Sequence, residues 1–336
     1  MARGYFQFKK RIQILSGGSA VGELEARGPL RDYFDLTSSD SKFGMDTWEK
    51  AEAEMCRQSH SVAIKKAGIT ADDIDVALAG DLTNQCAAST FGMKDKEIPF
   101  VGLYGACSTF ALSLGMGSLL LEGGDQKTVL CASSSHFCSA ERQYRFPLEY
   151  GCQRPPTAQT TVSACGSVVL SAASEEKGIR ITEFLVGTVR DYGIRDASNM
   201  GAAMAPACAD TLCRYFLVSG RKPEDFDMIL TGDLGKEGSG ILRELCRIGG
   251  VEISRNHDDC GNMIFDPITQ DVKSGGSGCG CSAAVFASYI LHRMKKAEIS
   301  DILLVGTGAL LSAGTVLQKE TIPGVAHLIR IQREGK

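Results

Sequence analysis

Apolar residues fall in two rhythms along the chain. Short continuous runs, "VALAG" (76–80), "TVLCASSS" (128–135), "MILTG" (228–232) and "ILLVGTGA" (302–309), read as buried strands. Between them lie stretches with helical spacing. The first predicts a helix from Asp46, with Glu49 three residues on as a capping box. Trp48, Ala51, Met55, Val62 and Ala63 then share its apolar face, and Gly68 ends it. Strands alternating with helices imply sheets covered by helices, paired mostly in parallel.

The pattern repeats. "GITADDIDVALAGDL" (68–82) and "GRKPEDFDMILTGDL" (220–234) agree at seven of fifteen positions. Further on, "GACSTFALSLGMGSLLL" (105–121) recurs in outline as "GCGCSAAVFASYIL" (278–291), which aligns Cys107 with Cys281. The second copy carries an insertion between its GDL strand and its Gly-rich helix start. Two tandem units, 1–178 and 179–336, are expected to form a pseudo-two-fold molecule with a site near the join. Within the first, residues 138–165 lose all period and hold aromatics, arginines and Pro155-Pro156. So long an irregular connection reads either as a functional loop or as a contact surface.

Composition changes this picture little. A chain of 336 residues, 43% hydrophobic and 23% charged, is ordinary for a globular protein. Net charge is −4 with Lys and Arg scattered, which excludes a nucleic-acid stripe, so an anionic ligand would need a local basic pocket. The thirteen cysteines are odd in number and irregularly spaced, with no CxxC pair. They read as small buried hydrophobes in a reduced chain, and no metal or cofactor is expected. The N-terminus lacks the apolar core of a signal peptide, and the uncharged run Ile302 to Leu317 is short for a membrane span.

Chemistry centres on Cys107. It lies where a strand meets an apolar helix, so the helix dipole is expected to stabilise its thiolate. Such a thiolate could attack an acyl group beside N–H donors; a buried structural cysteine is the bland alternative. Of five histidines, His60 and His292 are expected on surface helices. His136, after a strand, His257 and His327 are left as possible bases. "SGGSGCGCS" (274–282) opens a helix with several glycines and could offer N–H groups to an anion, or could simply let two helices pack closely. Arg142, Arg145 and Arg154 could pair with carboxylates.

The duplicated halves, the cysteine at a strand-to-helix joint and the Gly-rich second helix resemble the thiolase and ketoacyl-synthase superfamily. That resemblance implies an α/β thiolase-like αβαβα five-layer fold with Cys107 at the nucleophile's position and a homodimer built through the first-half sheet edge. More closely, "GPLRDYFD", "AGDLTNQ", "GACSTF", "SSSH", "AERQYRFPLEYG", "MGAAMAPACADT", "LTGDL", "HDDCG", "SGGSGCGCSA" and "GTGALLS", in this order, resemble the stage V sporulation protein AD family. This second resemblance implies binding of dipicolinate (pyridine-2,6-dicarboxylate) or its calcium chelate, and support of its uptake into the developing spore. It implies partners from the same sporulation operon, membrane subunits among them, and a place on the cytoplasmic side of the spore inner membrane. The chain departs from thiolases where it lacks their Gly-His-Pro histidine, with Ser277 near that place, and their second cysteine. Only His257 could stand in as base. The expected ligand pocket is therefore Cys107, His136, Arg142, His257 and the turn Gly276, Ser277, Gly278 and Gly280, on a fold that has lost catalysis. An acyl-CoA-dependent acyltransferase using Cys107 is the alternative, and a structural subunit of a membrane assembly is a third reading.

Overall fold

The computed structural model describes residues 3–144, 153–172 and 177–335. The first half contributes β1 (Tyr5–Val21), a two-residue side strand β2 (Leu36–Thr37), β3 (Val76–Gly80), β4 (Phe100–Gly102), β5 (Thr128–Ser135), a short β6 (Thr160–Thr161) and β7 (Ala164–Ala172). The second contributes β8 (Gly178–Leu185), β9 (Met228–Thr231), β10 (His257–Asp259), a short β11 (Gly276–Ser277), β12 (Asp301–Ala309) and β13 (Gly324–Glu334). The four apolar runs read from the sequence are β3, β5, β9 and β12.

The two halves share one topology. The order β4-β3-β5-β7-β1 is matched by β10-β9-β12-β13-β8, and β1 pairs with β8 to join them. In each half the two outer pairings are parallel and the two inner ones antiparallel.

Helices α1 (Trp48–Ala67) and α2 (Ala87–Met93) cover the outer face of the first sheet. Between the sheets lies α3 (Thr109–Gly123), packed on β3 and β5 of its own half and on β12 and β13 of the other. The short α4 (Phe137–Tyr144) follows β5. Helices α5 (Met200–Ser219) and α6 (Gly235–Ile248) cover the outer face of the second sheet, and one turn of helix, α7 (Cys260–Met263), follows β10. The other central helix is α8 (Cys279–Val285), continued through a π turn into α9 (Leu291–Lys295). A surface helix, α10 (Ala313–Leu317), follows β12. Helix and sheet thus alternate in five layers. The stretch Ala106–Gly123 is apolar and long enough to cross a membrane, yet it is α3 with the turn that leads into it, mostly buried inside the protein.

Two local expectations are corrected. Thr47, not Asp46, caps α1, accepting from the Lys50 N–H, while Asp46 pairs with the Lys50 ammonium. His60 is not on a surface face. It is fully buried on α1 with Glu52, Cys56 and Ser59. Polar residues occupy the core side of that helix, so hydrophobic spacing alone does not reveal it. Arg145 lies outside the described residues. Among the described cysteines all but Cys138 and Cys213 are buried, and none is in a disulfide.

Candidate functional site

The chain leaves β4 through Leu103 and Tyr104 and turns sharply into α3. Gly105 O accepts from the Ser108 N–H and hydroxyl, and Ala106 O accepts from those of Thr109. Ala106 takes φ +50°, a left-handed conformation unfavourable for a residue with a Cβ. This strained elbow sets Cys107 just before the helix, 5% exposed. Gly308 on β12 permits the approach: a Cβ there would stand 2.5 Å from Gly105 O.

The thiol's partner comes from the other half. Asp233, just beyond β9 in the repeated GDL, is fully buried and lies beside the Cys107 thiol. Its Oδ2 accepts from the Gly278 N–H (2.8 Å) and the Ser277 hydroxyl (3.2 Å), and Oδ1 from the Thr307 hydroxyl (2.8 Å). Burial raises Asp233 to about 6 despite these bonds. Burial and the neighbouring Asp233 carboxylate push the Cys107 thiol well up, outweighing the Gly278 N–H and Ser277 hydroxyl. The helix dipole therefore does not yield the thiolate that the sequence led one to expect.

A cavity of about 30 Å³ opens above Cys107, room for one or two waters. Leu82, Tyr104, Glu141, Tyr144, Met200 and Ser277 are among its walls. Tyr104 and Tyr144 share a hydroxyl–hydroxyl bond of 2.9 Å, and Tyr144 also donates to Leu82 O, which ties α4 down over the opening. Among the described lining residues none is Arg, Lys or His.

The structure brings together only part of the residue set read from the sequence. Cys107, Ser277 and Gly278 meet at Asp233. Gly276 and Gly280 belong to the same turn but face elsewhere. Gly276 O accepts from Gln159, and the Gly280 N–H donates to the Ser135 hydroxyl. Gly278, at φ +103°, also has no room for a side chain, since a Cβ would meet the Ser135 hydroxyl at 2.6 Å. His136 is turned away from the cavity: Nε2–H donates to Ser41 O (2.7 Å), and Nδ1 accepts from the Cys138 N–H. Arg142 pairs with Glu49 at the surface and stacks on Trp48.

His257 is held neutral. Its Nδ1 accepts from Arg243 Nε–H (3.1 Å), so Nε2–H donates to the Thr231 hydroxyl (3.0 Å). Burial, with the Arg243 charge, lowers it to about 3. His327, also buried, accepts from the Gly187 N–H. Asp233, Glu141 and the two tyrosines escaped the sequence reading. The repeated GDL was a signal for Asp233, because its counterpart Asp81 is also buried and bonded, there to Thr83 and Ser89. Among the described residues no cluster of three or more His, Cys, Asp or Glu is arranged to hold a metal ion.

Duplicated halves, central helices and a cysteine elbow define a protein of thiolase-like fold. Solved structures agree on the fold. The chain resembles 3-oxoacyl-[acyl-carrier-protein] synthase III from Aquifex aeolicus, at TM-score 0.58 and 13% identity over 96% of this chain and 99% of that one. It also resembles an OleA variant from Xanthomonas campestris determined with cerulenin, at TM-score 0.61 and 10% identity over 97% and 98%. Within that class, the chain belongs to the stage V sporulation protein AD family (SpoVAD). The family model matches residues 3–332, and stage V sporulation protein AD of Bacillus subtilis is 43% identical over 98% of this chain and 96% of its own length.

Proposed function

We propose that this sporulation protein binds dipicolinate as its calcium chelate and supports its uptake into the spore, on a thiolase-like fold that no longer catalyses acyl transfer. One observation carries the loss of catalysis: the Cys107 thiol lies beside a buried carboxylate, Asp233, and faces no histidine among the described residues. A nucleophilic cysteine needs a base or a positive neighbour, and a carboxylate opposes the thiolate.

The same negative charge sets the form of the ligand. Asp233 beside an otherwise largely apolar cavity disfavours a free dianion and tolerates a neutral calcium chelate. Entry requires Tyr144 to release Leu82, because the cavity as it stands holds only water-sized guests. Titration calorimetry with dipicolinate, with and without calcium, tests this. Saturable heat that needs calcium and weakens in Tyr144→Ala supports the reading; no saturable heat with either form overturns it. The acyltransferase alternative predicts an acyl adduct on Cys107 by mass spectrometry after short acyl-CoA, and its appearance would overturn the loss of catalysis.

Partners and place follow the same family logic: membrane subunits of the same operon, at the spore inner membrane. A homodimer through the β4 edge is part of the proposal. That edge strand has one free side, with Val101 44% exposed and Phe91 nearby in sequence 61% exposed.

A further inference from the structure

The seam between the halves holds a second polar cleft, on residues that the Cys107 site does not use. Where β1 runs along β8, Gln7 pairs with Glu183, but the next paired residue, Ile12, already faces Ile181. Four residues of β1, Phe8 to Arg11, thus stand opposite the single residue Thr182. On the other flank, Arg330 pairs with Glu183 and the adjacent Ile331 with Ile181, so Thr182 is skipped there too. A bulge on both sides of one residue opens the sheet, a device often found beside binding sites. The opening is a cleft of about 170 Å³.

Its walls are basic. Lys9, Lys10, Arg180, Arg221 and Arg330 line it with Glu183, and Asp301 and Glu334 pair with Arg330 and Arg180. Glu183 is already saturated. It accepts from Tyr5 and Tyr215 hydroxyls and from Arg330 and Arg221. Arg330 is likewise consumed by Glu183 and Asp301, and the Lys10 ammonium caps the end of α3 at Leu121 O and Gly124 O. Arg180 pairs with Glu334 through a terminal nitrogen. What the network leaves over is specific: the buried Nε–H groups of Arg180 and Arg221 and the Thr182 hydroxyl have no partner. Three unsatisfied polar groups around one basic cleft exceed what an ion-pair seam needs for its own cohesion.

We infer that this seam cleft is a binding site for a small oxyanion, a carboxylate or a phosphate, held by Arg180, Arg221 and Thr182. Planar guanidinium forks suit such groups bidentately. The volume accommodates a phosphate or a four-carbon dicarboxylate. It is also the local basic pocket that a chain of net charge −4 requires for any anion.

Titration calorimetry and thermal shift on the full chain test the site, with inorganic phosphate and succinate as probes and sodium chloride matched for ionic strength. Saturable binding of at least one probe is expected, weakened at least tenfold in Arg180→Gln/Arg221→Gln and at least threefold in Thr182→Val. Cys107→Ala should bind as the parent does, which separates this site from the proposed function. Binding of one probe alone assigns the anion's class. No probe-specific effect beyond chloride, or affinity unchanged in the double variant, overturns the inference. Should the double variant fail to fold, Thr182→Val decides: a hydroxyl is exchanged for a methyl of like shape, and unchanged affinity there overturns it.

Discussion

Replacing Asp233 by asparagine removes the charge beside Cys107 and keeps the side chain's shape. Two unit charges about 4 Å apart at an effective dielectric of about 20 interact by about 4 kcal/mol. Losing that repulsion lowers the thiol. The observable gain is smaller, because in the parent a proton can pass from the thiol to Asp233, and the pair titrates together. With Asp233 near 6, the variant's thiolate gains about tenfold per pH unit above that value, reaching roughly a hundredfold at pH 8. At pH 5 Asp233 is largely protonated, and the two proteins should react alike. The assay is iodoacetamide labelling followed by peptide mapping of Cys107, which separates it from the other twelve cysteines. Taking the ratio of variant to parent cancels the restricted access beneath Tyr144. A ratio within twofold at pH 8, or one that does not change between pH 5 and 8, would refute the claim that Asp233 keeps Cys107 protonated.

Buried carboxylates also make stability depend on pH. Burial raises Glu25 to about 7, Glu52 to about 8 and Asp259 to about 7. The folded state then binds more protons than the unfolded one, and stability present at low pH is lost as pH rises through 7 to 8. Thermal melts should fall from pH 5 to pH 8 and level off above that, and Glu52→Gln should flatten the decline; a flat parent profile contradicts the assignment. Ala106→Val puts a β-branched residue at φ +50° and should cost about 1–3 kcal/mol in denaturant unfolding; a loss under 0.5 kcal/mol would mean that the elbow relaxes freely. His257→Ala should cost about 1–3 kcal/mol through the unpaired Thr231 and Arg243 groups yet leave chelate affinity unchanged, and a tenfold affinity loss would return His257 to the site. Val101→Lys on the β4 edge should convert a dimer to monomer in sedimentation, and a dimer that persists at micromolar protein would exclude that edge.

Much of the architecture is written locally. The runs at 76–80, 128–135 and 302–309 are buried strands because continuous apolar side chains suit a sheet covered on both faces. The repeated GDL, and Cys107 before an apolar helix, located the duplication and the elbow by turn chemistry and period alone. Errors arose where polar residues face inward. His60, Glu52 and Ser59 occupy the core side of α1, so its spacing reads as a solvent face. Arg142 lay in a promising loop, but Glu49 and Trp48, nearly a hundred residues earlier, hold it at the surface.

The sequence by itself determined the repeated core strands, the duplication and the seat of Cys107, since these depend on neighbours within a turn or two. Only the tertiary structure decided what Cys107 meets. Asp233, Ser277 and Thr307 reach the elbow because the second half folds over the first, and pairing across the halves is a non-local outcome that no period encodes. The same seam turned a scatter of lysines and arginines into a basic cleft, because β1 and β8 lose register at Thr182 and leave their side chains around one opening.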